Sequence, residues 1–260
     1  MPGARFSKRV IFGGKLLDVV SSGPVGAPAD GVAPLYENGG TDGGVVDSIV
    51  GAQGPRDIEE IVAPISSRVR GQVRVYPTTI TRRDFQLDAV GRHRWWLIAS
   101  MARVEVAFKR PDLRTSTGYL DTNSGSEPPE QGFGRWDWSR ADLRDKTAIL
   151  YHAPSRSGKE TSLARRIDRP GRIEPFIAPP RITLPHSRIW RIGRGTRREP
   201  ECWAHIDRTL EDTPLYARSV IRTRLLTREI HLIHERLSLD PFSSVWVQAM
   251  LPFRMPRVIR

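Results

Sequence analysis

Two short pairs of residues have types and spacing suited to chemistry. In GRHRWWLIA (91–99), His93 and Trp95 stand two apart, and in GYLDTNSGSEP (118–128) Tyr119 and Asp121 do the same. On an extended strand, residues two apart point to one face. Each pair then sets a titratable group beside an aromatic ring. The His93 imidazole can take up a proton near neutral pH. The Asp121 carboxyl keeps a proton to donate near neutral pH if its charged form is kept from water. Plainer readings stand beside these. His93 also fits as a hydrogen-bonded interior residue next to a core Trp95 or Trp96. Asp121 and Asn123 also fit as turn caps, because the small residues TNSGSEPP follow. Glu127 reads as a turn or rim residue. In GFGRWDWSRAD (132–142), Trp136 and Trp138 share a face with Asp137 opposite, and structural aromatic packing is the reading there. Spacing alone leaves these alternatives open.

Strands must position the pairs, and the sequence supplies them. GQVRVY (71–76) and RVEVAF (103–108) alternate apolar and polar residues, while TAILYH, RSVIRTRLL and REIHLIHE are further short strand-like runs. Such alternation marks half-buried β-strands. YPTT, KRPDL, SRSGK, DRPGR and APPR separate them as turns. The fold class expected is all-β: an antiparallel sandwich or barrel. Helix is scarce. DWSRADLRD (137–145) reads as a single helical turn capped by Ser139, and SSVWVQAML (243–251) as a short helix capped by Ser243 or Ser244.

Residues 1–56 differ in texture. They hold twelve of the 22 glycines and none of the seven tryptophans. Each glycine is costly to order and buries nothing, so this region is expected to be mostly loop, with KRVIF its one strand-like run. The formal net charge is +12, and 36 of the 41 basic residues are Arg. These are spread among apolar residues, as in VIRTRLL, rather than gathered in the blocks common to nucleic-acid patches, so no nucleic-acid partner is expected. Cys202 is the sole cysteine. It can form no disulfide within the chain, and no Cys/His spacing suggests zinc. No apolar run nears the ~20 residues needed to span a bilayer. The start, MPGARFSKRVIFGGKLLDVV, is too broken by Gly and Lys for a signal peptide.

Longer blocks carry a resemblance. RTLEDTPLYARSVIRTRLL and HERLSLDPFSSVWVQAMLPFRMPR resemble the C-terminal stretch of bacterial carotenoid 1,2-hydratases, also called hydroxyneurosporene synthases. GRHRWWLIA, GYLDTNSGSEP and RWDWSRADLRD resemble that family's central blocks in the same order. The likeness runs from about Asp57 to Arg257; residues before it do not match. Arg236 and Pro241 stand where the family pattern has a small and a basic residue, and LRTSTGYLD is about one residue short.

The resemblance implies two lipocalin-like antiparallel β-domains in tandem, the first one incomplete. The boundaries expected are an atypical 1–56, a remainder of the first domain at 57–178, and a second domain at 179–260. It implies addition of water to the terminal C=C bond of an acyclic carotenoid, without a cofactor or metal. The family's His-x-Trp and Tyr-x-Asp pairs fall on His93 and Trp95, and on Tyr119 and Asp121. Asp121 is then the acid, the Trp95 and Tyr119 rings stabilise a cation, and His93 orients Asp121 or positions and deprotonates the attacking water. An apolar tunnel holds the polyene. The partners implied are an acyclic carotenoid, water and membrane lipid, and the location is the cytoplasm or the cytoplasmic face of the inner membrane. Two other functions remain: a non-catalytic β-protein binding an apolar ligand, and a basic module that binds membrane surfaces.

Overall fold

The computed structural model describes residues 6–12, 15–21, 56–62, 67–81, 83–108, 114–241 and 244–250. Almost all of these lie in strands or the turns between them, as the alternating patterns require. The chain divides into two compact units, Met1–Pro128 and Pro129–Arg260.

The first unit carries β1 (Phe6–Phe12), β2 (Lys15–Ser21), β3 (Arg56–Val62), β4 (Ser67–Pro77), β5 (Arg83–Gln86), β6 (His93–Phe108) and β7 (Arg114–Gly125). They form one antiparallel sheet in the order β2-β1-β7-β6-β4-β3, with β5 also paired to β6. Among the described residues the path runs from β2 to β3. β6 is the spine. Its first half pairs with β5 and its second with β4, while β7 runs along its other edge. Between β4 and β5 the edge of β6 stays bonded. Thr78 N–H donates to Met101 O at 3.0 Å, Thr81 N–H to Ile98 O at 2.8 Å, and the Thr81 hydroxyl to Leu97 O.

β6 and β7 do not run in step throughout. The register shifts between Leu97 and Ala99 and again between Ala99 and Ala102. At each shift β6 carries an extra residue, the arrangement of a β-bulge. Past both shifts, Asp121 lies opposite Leu97.

The glycine-rich start is more strand-like than expected. KRVIF lies in β1 as predicted, but Lys15–Ser21 forms a second strand, with Phe12 paired to Lys15. The sequence held the signal: a Gly-Gly pair between two apolar runs marks a two-residue hairpin. β1 also pairs with β7, placing Arg9 opposite Asp121 in register. The rest of 1–56, apart from Arg56 in β3, lies outside the described residues.

The second unit begins with one helical turn, α1 (Pro129–Gly132), followed by β8 (Arg135–Asp142), β9 (Lys146–Pro154), β10 (Glu160–Asp168) and β11 (Ile173–Pro175). Then come β12 (Arg181–Leu184), β13 (Arg194–Arg197), β14 (Ala204–Asp212), β15 (Tyr216–Leu225), β16 (Arg228–Ser238) and α2 (Val245–Met250). Seven of these strands form an antiparallel sheet, β11-β10-β9-β8-β16-β15-β14, and β12 pairs with β13. One stretch of core gathers Ala141, Leu150, Ala164, Leu184, Ile221 and Leu232.

One expectation changes here. DWSRADLRD is not a helical turn. Residues 135–142 are strand β8, because Trp136, Trp138 and Arg140 on one face and Asp137, Ser139 and Ala141 on the other are all buried. The division between the two compact units falls at Pro128/Pro129. The reason is pairing: β8 bonds to β16 on one side and β9 on the other, tying residues 135–168 to the C-terminal strands.

Candidate active site

On one face of the first sheet, β6 and β7 bring together three of the four residues singled out by spacing. Trp95 on β6 faces Asn123 across the ladder, and Leu97 faces Asp121. Trp95 and Asp121 are therefore diagonal neighbours, close enough for a long side chain to span. The Trp95 Nε1–H donates to Asp121 Oδ2 at 2.7 Å. Tyr119, two residues from Asp121, donates its hydroxyl hydrogen to the same Oδ2 at 2.9 Å. All three side chains are 0% exposed. Phe85 on β5, directly across from Trp95, stacks on the indole with ring centroids 5.3 Å apart. On the other face Trp96 donates to Thr81 O at 3.0 Å, which locks this part of β6.

The energetics make the carboxyl the fixed point of the cluster. A buried indole N–H or phenol O–H left without an acceptor costs about 1–3 kcal/mol, and here one oxygen answers both. In return, the two donors set the orientation of Asp121.

His93 lies on the same face but is not part of this trio. It pairs with Gly125, four residues along β7 from Asp121, or about 14 Å of extended strand. The Trp95–Asn123 pair lies between. His93 therefore does not orient Asp121. Its ring Nδ1 is 2.9 Å from Asp88 Oδ2, and it is buried at 5% exposure. Gly125 makes room for the ring, since a Cβ there would come 2.9 Å from His93 Cδ2.

Asp88 is the residue the spacing argument missed. Burial pushes its carboxyl pKa up, but hydrogen bonds from the His93 ring and from the backbone of Arg92, His93 and Val90 outweigh this and hold it below the ordinary carboxylate range. A signal was present in the sequence: Asp three residues before Gly91 suits a side chain capping its own turn, and Gly91 has the positive φ of 72° that such a turn favours. Glu127 behaves as a rim residue. It accepts from Arg92 Nη1 at 2.9 Å, and Arg92 is mostly exposed.

The second unit holds a different polar cluster. Asp137 accepts from Arg181 at 2.8 Å and from Arg236 Nη1 at 2.9 and 2.8 Å. Arg236, one departure from the family pattern, is thus a counter-charge to a buried acid. His234 lies beside it, with Ser139 Oγ 3.0 Å from its Nδ1. A small cavity of about 10 Å³ opens among Asp137, Ser139, His152, Arg181 and Thr196. That is room for roughly one water, and its lining includes none of His93, Trp95, Tyr119 or Asp121. Among the described residues, no group of three or more His, Cys, Asp or Glu is placed to hold a metal ion.

Fold and site together define an all-β antiparallel protein with a fully buried acid held between an indole and a phenol. The family model for carotenoid hydratase CrtC matches residues 51–260, and the chain belongs to that family. An acyclic carotenoid 1,2-hydratase of Thiocapsa roseopersicina is 52% identical over 203 residues, 78% of this chain and 50% of that protein. The enzyme of the same name from Rubrivivax gelatinosus is 43% identical over 203 residues, 77% of this chain and 50% of the other. That of Cereibacter sphaeroides is 31% identical over 202 residues, 77% of this chain and 72% of its relative. The chain thus spans half the length of the first two relatives. Among solved structures, one described as AttH of Nitrosomonas europaea aligns over 90% of this chain and 91% of its own, at 11% identity and a TM-score of 0.49.

Proposed function

We propose that the chain hydrates the terminal C=C bond of an acyclic carotenoid of the neurosporene or lycopene type, with Asp121 as the acid. The observation that supports this most is the convergence of Trp95 and Tyr119 on one oxygen of a wholly buried carboxyl.

The alkene is a very weak base, so protonating it needs an acid held away from water. Burial disfavours the charged carboxylate. Two donors converge on Oδ2, and in this reading the acid form of Asp121 supplies the proton. That proton passes to the less substituted alkene carbon as the π bond breaks, leaving a tertiary carbocation and the Asp121 carboxylate. The electron-rich faces of Trp95 and Tyr119 stabilise the cation, by about 2 kcal/mol or more where water is excluded. Water then bonds to the cationic carbon and loses a proton to His93. Return of a proton to Asp121 through solvent closes the cycle, and the sum is one water added.

Peripheral contact with membrane lipid belongs to the same reading, because the substrate dissolves in bilayers. In the second unit, Ser187 and Ile192 are buried and bonded to each other: Ser187 N–H donates to Ile192 O at 2.9 Å, and Ile192 N–H to Ser187 Oγ at 2.8 Å. Asp212 pins the intervening turn by accepting from Ile189 N–H at 2.7 Å. The tip presents Arg188, Ile189, Trp190 and Arg191, and Trp190 stacks on Trp246 of α2 with centroids 6.3 Å apart. Ile189 is 57% and Trp246 53% exposed. Apolar side chains flanked by arginine suit the interface of an anionic bilayer. No helix among the described residues is long and apolar enough to cross a membrane.

Incubation of the purified chain with lycopene or neurosporene in lipid vesicles, followed by chromatography, tests the reaction. The tertiary alcohol is expected. Tight retention of the carotenoid without conversion would instead support the apolar-ligand binder.

A further inference from the structure

We propose that Asp88 is a positioning residue for His93: its carboxylate holds the imidazole in the tautomer with hydrogen on Nδ1, which puts the lone pair on Nε2 for the attacking water. This rests on the reading of His93 as the base.

Asp88 lies in the connection between β5 and β6, and all of its acceptor capacity is turned inward. Oδ1 accepts the backbone N–H of Val90 at 2.9 Å and of Arg92 at 3.1 Å. Oδ2 accepts the backbone N–H of His93 at 2.7 Å and meets its ring Nδ1 at 2.9 Å. Leu87 N–H donates to His93 O at 2.9 Å and closes the turn. Capping that turn needs a single oxygen, which Asn or, more weakly, Ser also supplies. The second oxygen, shared between the His93 backbone and its ring, is what a turn alone does not require.

Chemistry then fixes the tautomer. The carboxylate is held ionised by its hydrogen bonds, and an ionised carboxylate only accepts. Nδ1 must therefore be the donor, which leaves Nε2 as the basic nitrogen. The ring is confined on its other side by Gly125. The charged groups nearby are already paired: Arg92 with Glu127 at 2.9 Å, and Arg94, on the opposite face of β6, with Asp84. The Asp88 carboxylate meets ring Nδ1 at 2.9 Å.

Two measurements on the intact chain test this. Long-range ¹H–¹⁵N spectra near neutral pH read the tautomer of His93, which is expected to carry hydrogen on Nδ1 in the wild type and to lose that preference in Asp88→Ser. Serine keeps a turn cap but does not reach the ring. A double-mutant cycle with His93→Gln reads the coupling. Asp88→Ser is expected to lower kcat about tenfold or more with little change in KM, and to cost nothing further once His93 is Gln. Hydrogen on Nε2 in the wild type overturns the proposal whatever the activity. So does an equal loss of kcat in both backgrounds, which marks Asp88 as merely structural. If the wild type makes no alcohol but its tautomer depends on Asp88, the positioning stands and the hydration reading falls.

Discussion

Asp121 holds two aromatic side chains by their polar ends, and the two bonds can be cut separately. Tyr119→Phe and Trp95→Phe each keep a ring for the cation and remove one donor to Oδ2. A hydrogen bond to a charged partner is worth about 1.5–3 kcal/mol, so each variant is expected to lose roughly ten- to a hundredfold in kcat, read from initial rates of alcohol formation. Gly125→Ala probes the other end of the face. Its new Cβ would sit 2.9 Å from His93 Cδ2 and 3.2 Å from two backbone oxygens, so the ring must move. A misplacement near 1 Å costs about a hundredfold in rate, and that loss is expected with the cysteine-free core of the sheet intact by circular dichroism. Spacing made both same-face pairs legible, because alternation along a strand is fixed. It did not give the distance between them. Register decides that His93 answers Gly125 rather than Asp121, and register depends on partner strands that no local pattern names. Asp88 was hidden for a related reason, since its role appears only when the turn brings it back onto the ring.

Among the elements, β8 shows how a local pattern misleads. DWSRADLRD has a serine where a helix would be capped, but Trp136 and Trp138 need a buried face, and two neighbouring strands supply it. The same pairing buries His234 between Ser139 and Ser219. Burial, the largest effect, pushes its imidazole down from 6.5 to about 4, with Asp137 opposing and Arg236 adding to the fall. The contact to Asp137 at 3.9 Å is too long for a hydrogen bond, and that acid already has two arginines, so the neutral ring is the folded form. The unfolded chain takes up a proton below about pH 6.5, and the folded one only near 4. Stability is therefore complete above 6.5 and falls as pH drops through that window, by about 3 kcal/mol in total. Melting temperature measured from pH 7 to 4 is expected to show this slope, and His234→Gln to flatten it. An identical slope in the variant would assign the acid sensitivity elsewhere.

At the scale of the whole chain, alternating runs separated by turn signals carried the all-β class, and the long C-terminal blocks carried the family. Strand pairing was less legible. Nothing in RWDWSRAD (135–142) announces that it pairs with β16, because antiparallel partners can come from far along a chain. In the proposed membrane contact, the net charge of +12 would act at the Arg188–Arg191 tip. Co-sedimentation with anionic vesicles is expected, weakening as salt rises, and Ile189→Asp with Trp246→Asp is expected to reduce it at least tenfold. Unchanged vesicle binding by that double variant would remove the tip from the account, and salt-sensitive DNA binding in place of vesicle binding would point to another partner.

The central claim is that the Asp121 proton goes to the carotenoid, and hydration carried out in D₂O tests it most directly. The wild-type chain is expected to yield a tertiary alcohol with one non-exchangeable deuterium on the neighbouring carbon, read by mass spectrometry. Asp121→Asn is expected to form it at least about a hundredfold more slowly while still binding the carotenoid. Formation of the same deuterated alcohol by Asp121→Asn at the wild-type rate would contradict the account.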